Sequence, residues 1–120
     1  MFVFQIFDVS TLVAKFSKNG THLLICSFKA AQLIRCKDFA VVAELGDMRN
    51  GGFSPDGRLL IASHWSNQFH LWDVATGREL LRFKGHTHNS SAAVFMPDGR
   101  HVLCCGGANQ KAEFGQASKT

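Results

Sequence analysis

Three short segments of this 120-residue chain repeat one another: Phe16-Ser-Lys-Asn-Gly20, Phe53-Ser-Pro-Asp-Gly57 and Phe95-Met-Pro-Asp-Gly99. Their phenylalanines stand 37 and 42 residues apart, within the range at which solenoids and propellers repeat a structural unit. Each glycine is followed by an apolar run: Leu23-Leu-Ile-Cys26, Leu59-Leu-Ile-Ala62 and Val102-Leu-Cys-Cys105. The motif has a physical reading. Proline fixes φ at the second turn position, Asp or Asn bonds back to the backbone, and Gly supplies positive φ. Apolar flanks turn such a segment into a β-hairpin. One hairpin signal is weak, but three on a common period define the architecture.

The middle repeat is the most complete. After its hairpin, Arg58 to Ser63 reads as a strand, and Gln68-Phe-His-Leu-Trp72-Asp73 alternates polar with apolar, the period of a half-buried strand. Ala75-Thr76-Gly77 is a turn, Glu79-Leu-Leu-Arg-Phe83 a further strand, and Gly85-His86 precedes the third repeat.

At this point the chain resembles the WD repeat family. The resemblance rests on Phe53-Ser-Pro-Asp-Gly57, Leu71-Trp72-Asp73, Thr76-Gly77 and Gly85-His86, in that order. It implies an all-β fold of four-stranded antiparallel blades set radially in a β-propeller, here about three blades. The match is tight from Phe53 to Cys105 and looser from Ser10 to Leu45, where Arg35 or Cys36 stands near the Trp position. In the third repeat Phe114 follows Phe95 by 19 residues, as Trp72 follows Phe53. The expected organisation is a repeat segment over 1–115, with repeats at 10–45, 46–83 and 84–115, an outer strand at 1–7, and a frayed tail at 116–120.

The resemblance implies structural roles for Phe53, Asp56, Gly57, Ser63, Trp72, Asp73, His86, Phe95, Asp98 and Gly99. Blades of this family are often tied by a hydrogen-bonded His, Ser, Asp and Trp set, and no repeat here holds all four. The middle repeat has Ser63 and Trp72, but Ser66 stands at the Asp position and Gly46-Asp47 replaces Gly-His; the third has His86, with Ala108 and Phe114 elsewhere. Packing of Phe and aliphatic side chains is therefore expected to carry more of the stability. Propellers close with 4–8 blades, so three leave two ends to cover. Met1–Phe7, apolar and strand-like, is placed to complete the last blade. Either copies of the chain assemble into a ring, or the chain is a segment of a longer propeller.

Composition limits the alternatives. With 46% hydrophobic residues and a net charge of +4, the chain lies outside the disordered class. No apolar run reaches the roughly 20 residues of a membrane span. The N-terminal apolar stretch lacks a preceding Lys or Arg and is interrupted by Asp8, so it reads as a strand rather than a targeting signal. The pI of about 9.1 raises nucleic acid as a partner, but the basic residues are scattered singly, which weighs against it. Four cysteines include no CxxC, and reduced thiols in the cytosol or nucleus are expected.

Signals for chemistry are thin. His86-Thr-His88 presents two imidazoles without the third or fourth ligand that zinc requires, and the resemblance gives His86 a structural role. His70 is expected to face solvent, and His22 and His101 to sit on hairpin shoulders. Cys104-Cys105 lies in a strand, without the helix N-terminus or cation that activates a thiol, and reads as core. Neither a G-x-S-x-G elbow nor a phosphate-binding loop occurs. No cofactor, metal or catalytic activity is expected.

Binding of other proteins is the function the resemblance implies, through loops at one face of the propeller. These map to His64–Asn67, His86–Ser91 and Gly107–Gln110, with Trp65, His64, Asn67, His88, Asn89 and Asn109 as contact candidates. A Trp in such a loop suits an interface anchor; alternatively, it packs against the next blade. Ala75 stands where ubiquitin-ligase receptors of the family carry Arg, and the Phe-Arg-Arg-Gly motif of phosphoinositide binders is absent. The expectation is a non-catalytic protein–protein interaction scaffold; the alternative is a regulatory or substrate-positioning propeller segment of a larger enzyme. A second copy of the chain is a further candidate partner.

Overall fold

The structure, a computed structural model, describes residues 11–27, 30–64, 68–84, 90–106 and 111–116. Every regular element in them is a β-strand: β1 (Thr11–Phe16), β2 (His22–Ser27), β3 (Ala31–Arg35), β4 (Ala40–Gly46), β5 (Met48–Phe53), β6 (Leu59–His64), β7 (Gln68–Asp73), β8 (Glu79–Lys84), β9 (Ser90–Phe95), β10 (His101–Gly106) and β11 (Lys111–Gln116). They form a first sheet β1-β2-β3-β4, a middle sheet β5-β6-β7-β8 and a third sheet of three described strands, β9-β10-β11. All pairings are antiparallel. The outer strand expected at Met1–Phe7 and most of the tail lie outside the described residues.

The three repeated segments form the same turn. Gly20, Gly57 and Gly99 each donate their backbone N–H to the carbonyl three residues earlier, at 2.9 Å, on Ser17, Ser54 and Met96. All three take a positive φ, 77°, 76° and 71°, which is the work of glycine in this turn. The residue before each glycine holds the hairpin with its side chain. Asp56 Oδ1 accepts from Ser54 Oγ at 2.7 Å and Arg58 N at 3.0 Å. Asp98 Oδ1 accepts from Arg100 N at 2.8 Å, and Asn19 Oδ1 from Ser17 Oγ at 2.7 Å. These bonds hold the carboxyls of Asp56 and Asp98 below the usual carboxylate range.

The sheets stack in series: β1 and β2 meet β5, while β5 and β6 meet β9. Between the first and middle sheets lie Leu24, Cys26, Leu33, Met48, Leu60 and Trp72. Between the middle and third sheets lie Ile61, Phe69, Leu71, Ala93 and Val102. Full burial of each large side chain contributes about 1.5–3 kcal/mol. Close approach is built in at Gly51, where a Cβ would meet the Ile61 carbonyl at 2.4 Å and Leu24 Cδ2 at 3.1 Å. Lys15 of the first sheet also crosses the gap, its Nζ donating to Gly51 O at 2.8 Å and Asn50 Oδ1 at 3.1 Å.

Register corrects two expectations. One row across the middle sheet runs Phe53, Leu60, Trp72 and Glu79. In the first sheet the same row is Phe16, Leu23, Ile34 and Val41, so Ile34, not Arg35 or Cys36, holds the Trp72 place. In the third sheet the row is Phe95, Val102 and Gly115; Phe114 pairs instead with Leu103, one residue out of line with Trp72. A fixed offset fails because the hairpins between second and third strands differ in length. Their closing pairs, Ser27 with Ala30, His64 with Gln68 and Gly106 with Lys111, enclose two, three and four residues.

A third correction concerns His70, expected at the surface and found 5% exposed. The alternation along β7 is as read, with Phe69 and Leu71 on one face and His70 and Trp72 on the other. Both faces of the middle sheet are covered by a neighbouring sheet, however, so neither is left to solvent.

Candidate functional site

Antiparallel topology sorts the connections to two ends. The repeated turns, together with the turns 36–39 and 74–78, lie at one end of the sheets. At the other end lie the Gly46–Met48 junction and the strand ends that flank 65–67, 85–89 and 107–110. The residues expected to bind partners belong to this second end. Of them His64, the last residue of β6, is described; Trp65, Asn67, His88, Asn89 and Asn109 lie outside the described residues, as do Ser66 and His86.

His64 is half-buried and pairs with Met48 of β5 and Gln68 of β7. Its ring stacks on that of His70, centroids 5.6 Å apart and planes at 7°. The His70 ring in turn lies 6.5 Å from Trp72, at 25°. An aromatic column thus runs from the loop end into the junction of the first and middle sheets. His70 Nδ1 is 3.6 Å from Glu79 Oε1, and Glu79 also binds Arg82. Burial pushes the His70 imidazole pKa down; Glu79 opposes this, and the Arg82 and His64 charges add to it. The neutral form of the ring is therefore favoured. The nitrogens of His70 and Trp72 Nε1 have no hydrogen-bond partner among the described residues.

Ser63 and Trp72 do not meet. Ser63 Oγ donates to the Asn50 carbonyl at 3.2 Å, and Ser63 shares its face of β6 with Ile61, toward the third sheet. Trp72 packs toward the first sheet with Leu60 and Ala62. Asp73 acts locally: its Oδ2 accepts from Thr76 N at 3.2 Å and from Thr76 Oγ1 at 2.5 Å, closing the turn that carries Gly77 at φ 73°. Phe53 is half-buried against the core between the first two sheets, and Phe95 against the core between the last two.

His22 and His101 begin β2 and β10 beside their turns; His101 Nδ1 lies 2.6 Å from Asp98 Oδ2. Burial lowers the His22 pKa, and Arg35 adds to the effect. Cys26 is buried, its thiol pushed up to about 11 by loss of solvation, and is chemically quiet. The side chains of Cys104, Cys105 and Phe114 lie outside the described ones.

Sequence reasoning missed the turn after β3. Arg35 clamps Asp38 through two bonds, 3.0 and 2.9 Å, and Asp38 is held down at about 2, first by the Arg35 hydrogen bonds and then by the Ala40 N–H. Next to it an open depression of about 470 Å³ is lined by Gly20, Thr21, His22, Arg35, Cys36 and Lys37. The signal available was Arg35-Cys-Lys-Asp38, an ion pair at i, i+3. Among the described residues no group of three His, Cys, Asp or Glu side chains is placed to hold a metal ion. Nor is any helix among them long and apolar enough to cross a membrane.

The profile of the family described as WD domain, G-beta repeat matches residues 45–73 and 77–112. The chain is similar to the crystal structure of the Myceliophteria thermophila Cps50 (Swd1) beta-propeller domain, with TM-score 0.78 and 13% identity. The alignment covers 95% of this chain and 38% of that one, so the chain spans well under half of that structure. No curated protein matches the sequence.

Proposed function

This chain belongs to the WD repeat family, and from that premise we propose that it is a non-catalytic protein–protein interaction scaffold whose contact surface is the loop end of its stacked sheets. WD repeat propellers generally mediate protein–protein interaction, and their domains are typically non-catalytic. The observation that carries the reading is the placement of strand ends. His64, the Gly46–Met48 junction and the ends flanking 85–89 and 107–110 share one end of the stacked sheets, and loops held on such a scaffold are where binding residues concentrate. Trp65 is the proposed anchor, with His64, Asn67, His88, Asn89 and Asn109 as further contact residues. The surroundings proposed for the chain are the cytosol or nucleus.

Affinity capture with quantitative mass spectrometry tests this, comparing the wild type with Trp65→Ala/His88→Ala at the loop end and Asp38→Ala at the turn end. The expected result is loss of specific partners by the loop-end variant, with Asp38→Ala retaining them. A folded loop-end variant that keeps every partner overturns the proposal.

A further inference from the structure

We propose that Asn19 is a site of spontaneous deamidation, at which the folded chain converts its β1–β2 turn to the Asp-Gly form of the other two repeated turns. The sequence holds two Asn-Gly pairs, Asn19-Gly20 and Asn50-Gly51. Asparagine is thermolabile, most of all before glycine, whose lack of a Cβ lets its backbone nitrogen reach the preceding carboxamide. The structure sets the two pairs in opposite surroundings.

Asn19 and Gly20 are both exposed at the tip of the β1–β2 hairpin, and a Cβ on Gly20 would meet no atom within 4 Å. Nothing described there crowds a new ring. Asn19 Oδ1 accepts from Ser17 Oγ at 2.7 Å, Thr21 N at 3.2 Å and Thr21 Oγ1 at 2.8 Å. Three donors on one carbonyl oxygen draw electrons from Cγ and stabilise the charge that gathers on Oδ1 as a nucleophile adds. Gly20 N is held back by its bond to Ser17 O, and freeing it needs only the hairpin tip to open, a local motion of low free energy. Asn50 Oδ1 also has donors, Lys15 Nζ and Gly51 N. Its pair, however, lies within the β5–β6 ladder, where Asn50 faces Ser63 and Gly51 faces Ala62. Gly51 is buried, and a Cβ on it would meet the Ile61 carbonyl at 2.4 Å. Ring closure there requires β5 to leave β6.

The conversion consumes only water. Gly20 N loses its proton to solvent and bonds to Asn19 Cγ; the Cγ–Nδ2 bond breaks, and Nδ2 leaves as ammonia, giving a cyclic imide. Water then opens the imide at one of its two carbonyls. Breaking the new bond between Gly20 N and Cγ yields aspartate at position 19. Breaking the bond between Gly20 N and the main-chain carbonyl yields isoaspartate, with one more carbon in the backbone. Aspartate fits this turn, because Asp56 holds the same place in the β5–β6 turn. Asp56 Oδ1 accepts from Ser54 Oγ and Arg58 N, as Asn19 Oδ1 accepts from Ser17 Oγ and Thr21 N. The product adds one negative charge to the turn end.

The test is peptide mapping by mass spectrometry of the purified 120-residue chain after incubation at mildly alkaline pH, in buffer and in urea. Circular dichroism verifies the β fold in buffer, and isoaspartyl methyltransferase labelling marks the second product. In buffer Asn19 is expected to convert about tenfold or more faster than Asn50. In urea, where both pairs are open, the two rates are expected to agree within about threefold. A folded chain that keeps the Asn19 amide while urea converts it overturns the proposal, as does Asn50 converting as fast as Asn19 in buffer. Asn19→Asp makes the product directly and is expected to keep the wild-type urea midpoint. A lower midpoint would show that this turn rejects the Asp-Gly form and overturns the proposal equally.

Discussion

Phe39 in the first sheet stands where Gly77 stands in the middle sheet, four residues after Arg35 as Gly77 is after Asp73, and both hold positive φ, 59° and 73°. Left-handed backbone costs an L-residue about 1–2 kcal/mol and glycine almost nothing. Phe39 is 47% exposed, so its ring recovers only part of that. Phe39→Gly is expected to raise stability by about 1 kcal/mol, read as a higher urea midpoint at constant slope. Phe39→Ala, which removes the ring and keeps the strain, should give no gain.

Gly77 carries a second constraint. A Cβ there would lie 2.7 Å from the Val42 carbonyl of the first sheet, whereas Gly20, with φ 77°, has open space around it. Gly77→Ala is therefore expected to cost about 2 kcal/mol or more, and Gly20→Ala about 1 kcal/mol from backbone strain alone. Equal losses in urea unfolding would show that Gly77 makes no close approach to the first sheet.

Acid should loosen the stack through His70. Its folded pKa lies below the ordinary imidazole value of 6.5, so the unfolded chain binds more protons, and stability rises with pH across that interval. The His70 contribution is complete above about pH 6.5 and falls as pH drops through it toward the folded value. Glu79, Arg82 and His64 face this ring, and His22 is shifted in the same direction. Unfolding free energies at pH 7.5 and 5.5 should differ less in His70→Leu than in the wild type, with His22→Gln removing a further part. An unchanged pH dependence in the double variant contradicts this assignment.

Ser63 and Trp72 should behave as independent residues. Ser63→Ala removes a bond to the Asn50 carbonyl and is expected to cost about 1 kcal/mol. Trp72→Phe forfeits no hydrogen bond among the described residues and should cost packing alone, about 1.5 kcal/mol. The double variant should be additive within about 0.5 kcal/mol, as for residues sharing no partner. A coupling above about 1 kcal/mol would mean that the two side chains share a hydrogen-bonded network after all.

Much of the fold was legible because the turn motif is local. Positions such as Pro55-Asp56-Gly57 dictate their own backbone, and three copies of them announce three hairpins. Strand order within each sheet followed from the same arithmetic. What stayed hidden depends on contacts distant in sequence. Alternation along β7 separates His70 from Phe69, but it does not say that both faces are covered. The place of Ile34 opposite Leu23 depends on a hairpin one residue shorter than that between His64 and Gln68. Ser63 next to Ala62 is a matter of which face a strand turns to its neighbour, and an error of one residue exchanges the faces. At the candidate site, the loop end was readable from strand order, while the His64–His70–Trp72 column required register.

The central claim is that the three repeats form one cooperative stack, each sheet burying its neighbour's face. Native-state amide hydrogen exchange, resolved by residue, tests it most directly. Leu24, Leu60, Leu71 and Val102 lie on inner strands of the three sheets, and all are at most 1% exposed. The account predicts that their amides exchange only through a shared global opening, with equal free energies and equal dependence on denaturant. Exchange at Leu24 or Val102 that is orders of magnitude faster than at Leu60 would contradict it, showing the repeats to be separate units.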